Sequence, residues 1–266
     1  MNRLIRGEFA KLFATRLPHW TLALAACCGA GLTGLLLAII GPENATPPLP
    51  GLDTAEGVGI VVGMSGLLLF VPALIGTVAV TGEYRHRTIG TTFLAVPRRG
   101  RVLAAKLLVF GVLGAVYGLV ASSLAGIAVV AGAAVQGVEL GVPLGALVAL
   151  LTRLALAAVV YMILGVAIGA LARHQLLAVG IVLGYFYFLE HVMMIIPGVN
   201  LIHRFLPGGA TAALTDFTFL SDAVASQLPI GETATMDPLA GALVLLGYAA
   251  AAAWAAIAIP LRRDLR

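Results

Sequence analysis

The stretch that decides the fold is Glu83–Lys106, EYRHRTIGTTFLAVPRRGRVLAAK. It sets Arg85, Arg87, Arg98, Arg99, Arg101 and Lys106 against the single acid Glu83, between two apolar runs each long enough to cross a bilayer. So cationic a segment cannot lie in hydrocarbon, and its charge predicts a cytoplasmic position beside anionic headgroups. Glu83 suits the positive end of a short helix, Ile89, Phe93 and Val96 recur at helical spacing, and Pro97 ends the pattern. The reading is a cytoplasmic loop over 82–101 that carries a short amphipathic helix; an ordinary positive-inside loop with an interfacial helix is the plainer alternative.

Composition fixes the class around this loop. The chain has 266 residues, 61% of them apolar and only 11% charged, with a mean hydropathy of +1.05. That is too little charge to coat a globular surface, so the sequence predicts an integral membrane protein. The net charge of +4 does not point to nucleic acid, because the cations gather at the ends of apolar runs, where lipid headgroups lie. Cys27 and Cys28, neighbours in one apolar helix, cannot form an ordinary disulfide and read as small core residues. Leu24–Cys27, LAAC, matches a lipoprotein cleavage signature, but Arg16, Pro18 and His19 leave too short an apolar run before the cysteine, and that run continues past it, so no processing is expected.

Working outward, Met1–Leu17 places Leu4, Ile5, Phe9, Leu12 and Phe13 on one helical face with Arg3, Arg6, Lys11 and Arg16 interspersed. This predicts a helix on the cytoplasmic leaflet, either an elbow packed beside the basic loop or a plain topogenic flank. Six spans follow, read as 20–40, 58–81, 102–132, 154–172, 175–196 and 239–259. Pro72 lies inside the second, as a hinge or as a kink that only serves packing. Gly114 with Gly118, Gly165 with Gly169 and Gly180 with Gly184 offer small faces for close helix contact. Arg153 falls at the outer boundary if the fourth span opens at Leu154, and inside the membrane if it opens near Pro143. Glu190 follows the aromatic run Tyr185–Phe188 and reads as reaching the outer headgroups, with a pathway contact for a proton, cation or substrate as the sharper alternative.

The extracellular loop 197–238 is too long to lack structure. Leu201, Phe205, Leu206, Leu214, Phe217, Phe219 and Leu220 predict short re-entrant helices in the outer leaflet, with Pro207, Gly208 and Gly209 as the turn between them. Charges then sort by side: of sixteen Lys and Arg, all but Arg153 and Arg204 fall inside, and both termini are cytoplasmic.

Chemistry is sparse. Lys11 and Lys106 are the only lysines and each is followed by leucine, so no phosphate-binding loop is present; nor is there a spaced zinc cluster or a nucleophile elbow. No enzyme activity and no cofactor are expected on this chain.

GEYRHRTIGTTFLAVPRR, followed by an apolar helix that opens with Lys106, resembles the loop after the second span in the membrane subunits of ABC-2 type ABC transporters. Glu83, Arg85, Thr88, Gly90, Thr91, Pro97, Arg98 and Lys106 carry the likeness, and RFLPGG at 204–209 looks like the family's turn before the last span. The resemblance implies an all-α membrane protein, with an elbow helix over 1–18 and one six-span domain over 19–266. Its coupling helix would meet a separate ATPase through Glu83, Arg85, Arg87, Thr88, Gly90, Thr91, Phe93, Pro97 and Arg98. It further implies two ATPase copies holding ATP and Mg, a second permease copy or a sister permease, surrounding lipid, and a bacterial inner membrane. The activity it implies is outward movement of an amphiphilic or hydrophobic solute (a drug, an antibiotic or a lipid-like molecule). An ATP-independent carrier or channel, and a membrane anchor or sensor for a partner protein, are the rival classes; the absence of a clear internal repeat speaks against a carrier.

A cysteine introduced at Thr88 is expected to react with a membrane-impermeant thiol reagent in inside-out vesicles and not in intact cells. Labelling from the cell exterior would overturn the topology.

Overall fold

The computed structural model describes residues 1–39, 50–88, 90, 96, 99–196, 198–227 and 236–258. Backbone polar groups find no water in hydrocarbon, so an apolar chain of this kind must pair them within helices. Among the described residues every regular element is helical. Within the same residues six helices are long and apolar enough to cross a membrane: Leu17–Ala38, Ala55–Arg85, Gly100–Gln136, Leu144–Ala172, Gln175–Ile195 and Pro238–Ala258. These are the first to sixth spans of a multi-pass membrane protein.

The predicted second, third and fourth spans sit inside longer observed helices, and the first, fifth and sixth agree with theirs to within about three residues at each end. The third helix continues over 38 residues, ~57 Å at ~1.5 Å each, well beyond a ~30 Å hydrocarbon core. It stops where Gly137 takes φ +68, with Val138 N–H bonded to Ala133 O at 3.0 Å and Gly137 N–H to Ala134 O at 3.3 Å. That closure needs a left-handed residue, which glycine supplies at least cost. The fourth helix begins at Leu144, directly after Pro143, and not at Leu154. Arg153 therefore lies within the helix. Over 29 residues the helix is ~43 Å long, which leaves room for its first turns to project beyond hydrocarbon.

The fourth span is the core of the bundle. It packs on the third along one side and on the second along the other. Glycines set both seams. A Cβ on Gly118 would lie 2.6 Å from the Ala155 carbonyl oxygen, and one on Gly114 2.9 Å from Met162 Cβ, so the antiparallel third and fourth spans meet backbone to backbone. A Cβ on Gly165 would overlap the Ala73 carbonyl, and one on Gly169 would lie 2.9 Å from the Thr77 oxygen; the second and fourth spans therefore run parallel. Thr77 Oγ1 donates to Gly165 O at 2.9 Å across this seam. Gly180 and Gly184 meet nothing within 4 Å, so the third glycine pair makes no such contact.

Among the described residues, three helical stretches depart from α-helix: wide π turns at Cys27–Gly31 and Leu183–Leu189, and a 3₁₀ segment at Ser65–Leu69. Pro72 explains the last, because it has no N–H for the Leu68 carbonyl and its ring crowds that oxygen, so the turn ahead of it tightens. The wide turn of the first span and the tight turn of the second touch, at a small void of about 20 Å³ bordered by Cys28, Ser65 and Tyr117. Cys27 is exposed and Cys28 half-buried, so the pair is not the core pair that their size suggested.

Alternating spans gather the charges at two ends. Arg85, Arg87, Arg101 and Arg173 mark a basic end, and Glu56, Glu139, Asp216 and Asp237 an acidic one. Short helices Asn200–His203, Pro207–Thr215 and Phe219–Gln227 precede the sixth span at the acidic end. Pro207, Gly208 and Gly209 form the first turn of the middle one and not a turn between two helices; proline suits that position because the missing N–H would be unpaired there anyway.

Gly165→Leu is expected to lower the thermal stability of the purified protein by the equivalent of about 1–3 kcal/mol or more, since the second span cannot retreat from a side chain there. Gly180→Ala, with open space around it, should leave the unfolding temperature unchanged in the same melt.

Candidate functional site: a buried charge cluster and an acidic-end cavity

The N-terminal helix, Asn2–Phe13, packs against the start of the third span. Its face differs from the apolar stripe that the sequence suggests. Phe13 is 71% exposed, while Glu8, four residues from both Leu4 and Leu12, turns inward and is buried. What it meets is Lys106, whose side chain is 2% exposed. Lys106 Nζ lies 2.6 Å from Glu8 Oε2 and 2.8 Å from Glu83 Oε1. Lys11 Nζ closes the cluster, 2.8 Å from Glu8 Oε1 and 3.7 Å from Glu83 Oε1. One turn along the third span, the Phe110 ring lies 5.8 Å from the Lys106 ammonium, within range of its charge.

Two ammoniums face two carboxylates, so the cluster is neutral as a set, and burial makes each member depend on the others. Burial alone would push the Glu8 carboxyl up, but Lys106 and then Lys11 outweigh it and hold it below its ordinary value of 4.5. Burial would likewise pull Lys11 down, yet Glu8 and Glu83 raise it above 10.5. The stabilisation from Glu8 is therefore complete above pH 4.5 and lost as pH falls through its depressed value; that from Lys11 is complete below 10.5 and lost as pH rises through its elevated one.

Glu83 is thus in the last turn of the second helix, Phe70–Arg85, and not at the positive end of a following one. Lys106 takes its carboxylate. Arg85 Nη1 donates to Gln175 Oε1 at 3.2 Å, tying the ends of the second and fifth spans. Arg87 is exposed with φ 58, and Thr88 Oγ1 donates to Glu83 O at 3.4 Å. Gly90 is half-buried. Thr91, Phe93, Pro97 and Arg98, along with Ile89, lie outside the described residues, and so does the short helix expected there. The structure brings Glu83, Lys106 and Glu8 together, and Glu8 is the residue that sequence reasoning missed. It was legible as the one acid at the apolar spacing of its helix, in a chain whose third span opens with an unmatched lysine.

Glu190 occupies the other end. It does not reach outward toward headgroups: it is 2% exposed, and it accepts the Gly208 N–H at 2.5 Å. The carboxylate thereby caps the helix Pro207–Thr215, where backbone N–H groups and the helix dipole favour negative charge. A Cβ on Gly208 would lie 2.9 Å from Glu190 Cδ, so a larger residue there would push the carboxylate aside. Around this contact is a cavity of about 120 Å³ bordered by Phe70, Tyr161, Phe186, Glu190, His203 and Arg204, among others. Burial and the neighbouring His191 hold the His203 imidazole below its ordinary value. Arg153 is half-buried on the fourth span and does not border the cavity. Among the described residues no group of three or more His, Cys, Asp or Glu is placed to hold a metal ion.

Residues 4–189 match the model of a protein family described as ABC-2 family transporter protein. No curated protein matches the chain.

Lys106→Met would take away the buried cation and leave Glu8 and Glu83 to share Lys11 alone, and is expected to cost about 3–5 kcal/mol. The readout is a lower unfolding temperature together with faster proteolysis within Asn2–Phe13. In the unaltered protein, the same protease should reach this helix faster as pH is lowered from 5 toward 3.

Proposed function

This chain belongs to the ABC-2 family, a membrane component of ABC transporters, and from that premise we propose that it is the permease of an exporter driven by a separate ATPase. The basic end faces the cytoplasm, as the positive-inside rule requires of Arg85, Arg87, Arg101 and Arg173. Both termini then lie in the cytoplasm, and the protein resides in a bacterial inner membrane. Two ATPase subunits, which hold the ATP and Mg, grip the segment 82–101 of this chain and of a second permease, either another copy or a sister chain. Each push moves an amphiphilic or hydrophobic solute outward.

The observation that carries this reading is the cluster around Lys106. A force applied to a loop reaches the membrane only if the loop is rooted in something stiff. Here the base of 82–101 is fixed on both sides, by Glu83 at the end of the second span and by Lys106 near the start of the third, 2.8 Å apart. Glu8 adds the N-terminal helix to the same anchor at 2.6 Å, and that helix becomes the elbow that braces the coupling segment. Exposed Arg85 and Arg87 project from the anchored base and offer charge to an acidic surface of the ATPase. The short helices before the sixth span dip into the outer leaflet and close the exit, with Glu190 beside the path.

Arg85→Glu together with Arg87→Glu should lower the unfolding temperature only slightly, through loss of the exposed Arg85–Gln175 hydrogen bond, and abolish solute stimulation of ATP hydrolysis in the reconstituted complex. Undiminished stimulation would count against a coupling role for this loop.

A further inference from the structure

Among the described residues no cation lies within ion-pair distance of Glu190, a buried carboxylate. It accepts a hydrogen bond from the Gly208 backbone, and among the described residues the ion pairs are confined to the opposite end, on Glu8 and Glu83. An isolated buried charge is costly, and in a span it marks a site that some other group must complete. Aromatic residues gather around it, in a cavity that His203 and Arg204 also border. Tyr161, Tyr185 and Tyr248, on the fourth, fifth and sixth spans, lie within its electrostatic reach. Phe186 packs against both Tyr161 and Tyr185 with ring centroids 5.1 Å apart, and Phe70, which also borders the cavity, packs against Tyr187 at 5.3 Å. A carboxylate with aromatic rings in one cavity is the combination that stabilises a desolvated ammonium ion, through the charge of the one and the ring quadrupole of the others.

We propose that this cavity is a binding site for an organic ammonium ion, with Glu190 as counter-ion, Tyr161, Phe186 and Phe70 as walls, and the apolar body of the ligand directed toward Met194 and Phe217. At about 120 Å³ the space is close to the ~150 Å³ cavity that admits one benzene, so it takes a headgroup and not a whole amphiphile. Arg204 also borders it, with its guanidinium stacked on Phe205 at 4.7 Å and its Nε buried without a partner. That Nε supplies a donor for a hydroxyl or carbonyl on the same ligand. His191 and His203 complete the polar side, and Asp216 stands at the rim. The site rests on the transport reading for its purpose and narrows the solute to cationic amphiphiles.

Binding separates the two. Full-length protein in nanodiscs is titrated calorimetrically with benzyltrimethylammonium, with its uncharged carbon isostere neopentylbenzene, and with benzenesulfonate. The ammonium should bind saturably, and both other probes about tenfold more weakly or less. Glu190→Gln, whose amide oxygen can still accept the Gly208 N–H, should weaken ammonium binding about tenfold and leave the isostere unaffected. Equal binding of the isostere, preference for the sulfonate, or an unaltered affinity in E190Q overturns the site. The probe comparison uses the unaltered protein and decides the matter even where E190Q is unstable. None of these titrations involves ATP, so a charge-selective site with no solute-stimulated ATPase would refute the transport reading alone.

Discussion

An ammonium group cannot enter an apolar helix bundle unless carboxylates arrive with it, and Lys106 makes that demand on two distant parts of the chain. Glu83 answers from the end of the second span and Glu8 from the N-terminal helix. Removing water from charges costs several kcal/mol per ion, which close opposite charges recover only with good geometry. The cluster is therefore a weak source of stability and a strong source of specificity: it accepts one placement of the N-terminal helix and one register of the two spans. That helix has few other buried residues, Leu12 foremost among them, so its position follows from the charges more than from its hydrophobic face.

The rest of the bundle is held by shape. In lipid there is no hydrophobic gain from bringing two apolar helices together, so close packing must supply the attraction. Gly114 and Gly118 on the third span, and Gly165 and Gly169 on the fourth, remove the side chains that would keep backbones apart. Thr77 then adds a hydrogen bond to the Gly165 carbonyl where no water competes. Charges fix one end, glycines the middle, and the Glu190 cap on Gly208 the other end.

Spans and charge sorting were readable because both are one-dimensional: an apolar run long enough to cross needs no partner to be recognised, and six of them appear near the expected bounds. The opening of the fourth helix was not, because the apolar residues between Pro143 and Arg153 serve equally as lipid-facing helix or as helix beyond the lipid. Direction of side chains was harder still. Glu8 reads as one solvated acid in an amphipathic helix until Lys106 is brought beside it. Glu190, after four aromatic residues, reads as an interfacial charge, and only the helix Pro207–Thr215 folding back explains why it points inward. The coupling segment is the reverse case: the motif is the plainest in the sequence, yet Thr91, Phe93, Pro97 and Arg98 lie outside the described residues.

The wide turn at Cys27–Gly31 settles a question of phase. Thr21, Ala25, Gly29 and Thr33 are all buried, at steps of four residues, whereas a regular α-helix repeats at about 3.6 and would carry such a row steadily around its axis. One surplus residue, absorbed in a single widened loop of backbone, resets the count, so that both halves of the first span present small side chains along one line. A Cβ on Gly29 would overlap the Ala121 carbonyl, which pins that reset point to the third span. The irregular turn is thus what allows an arithmetic progression in the sequence to become a straight seam in space.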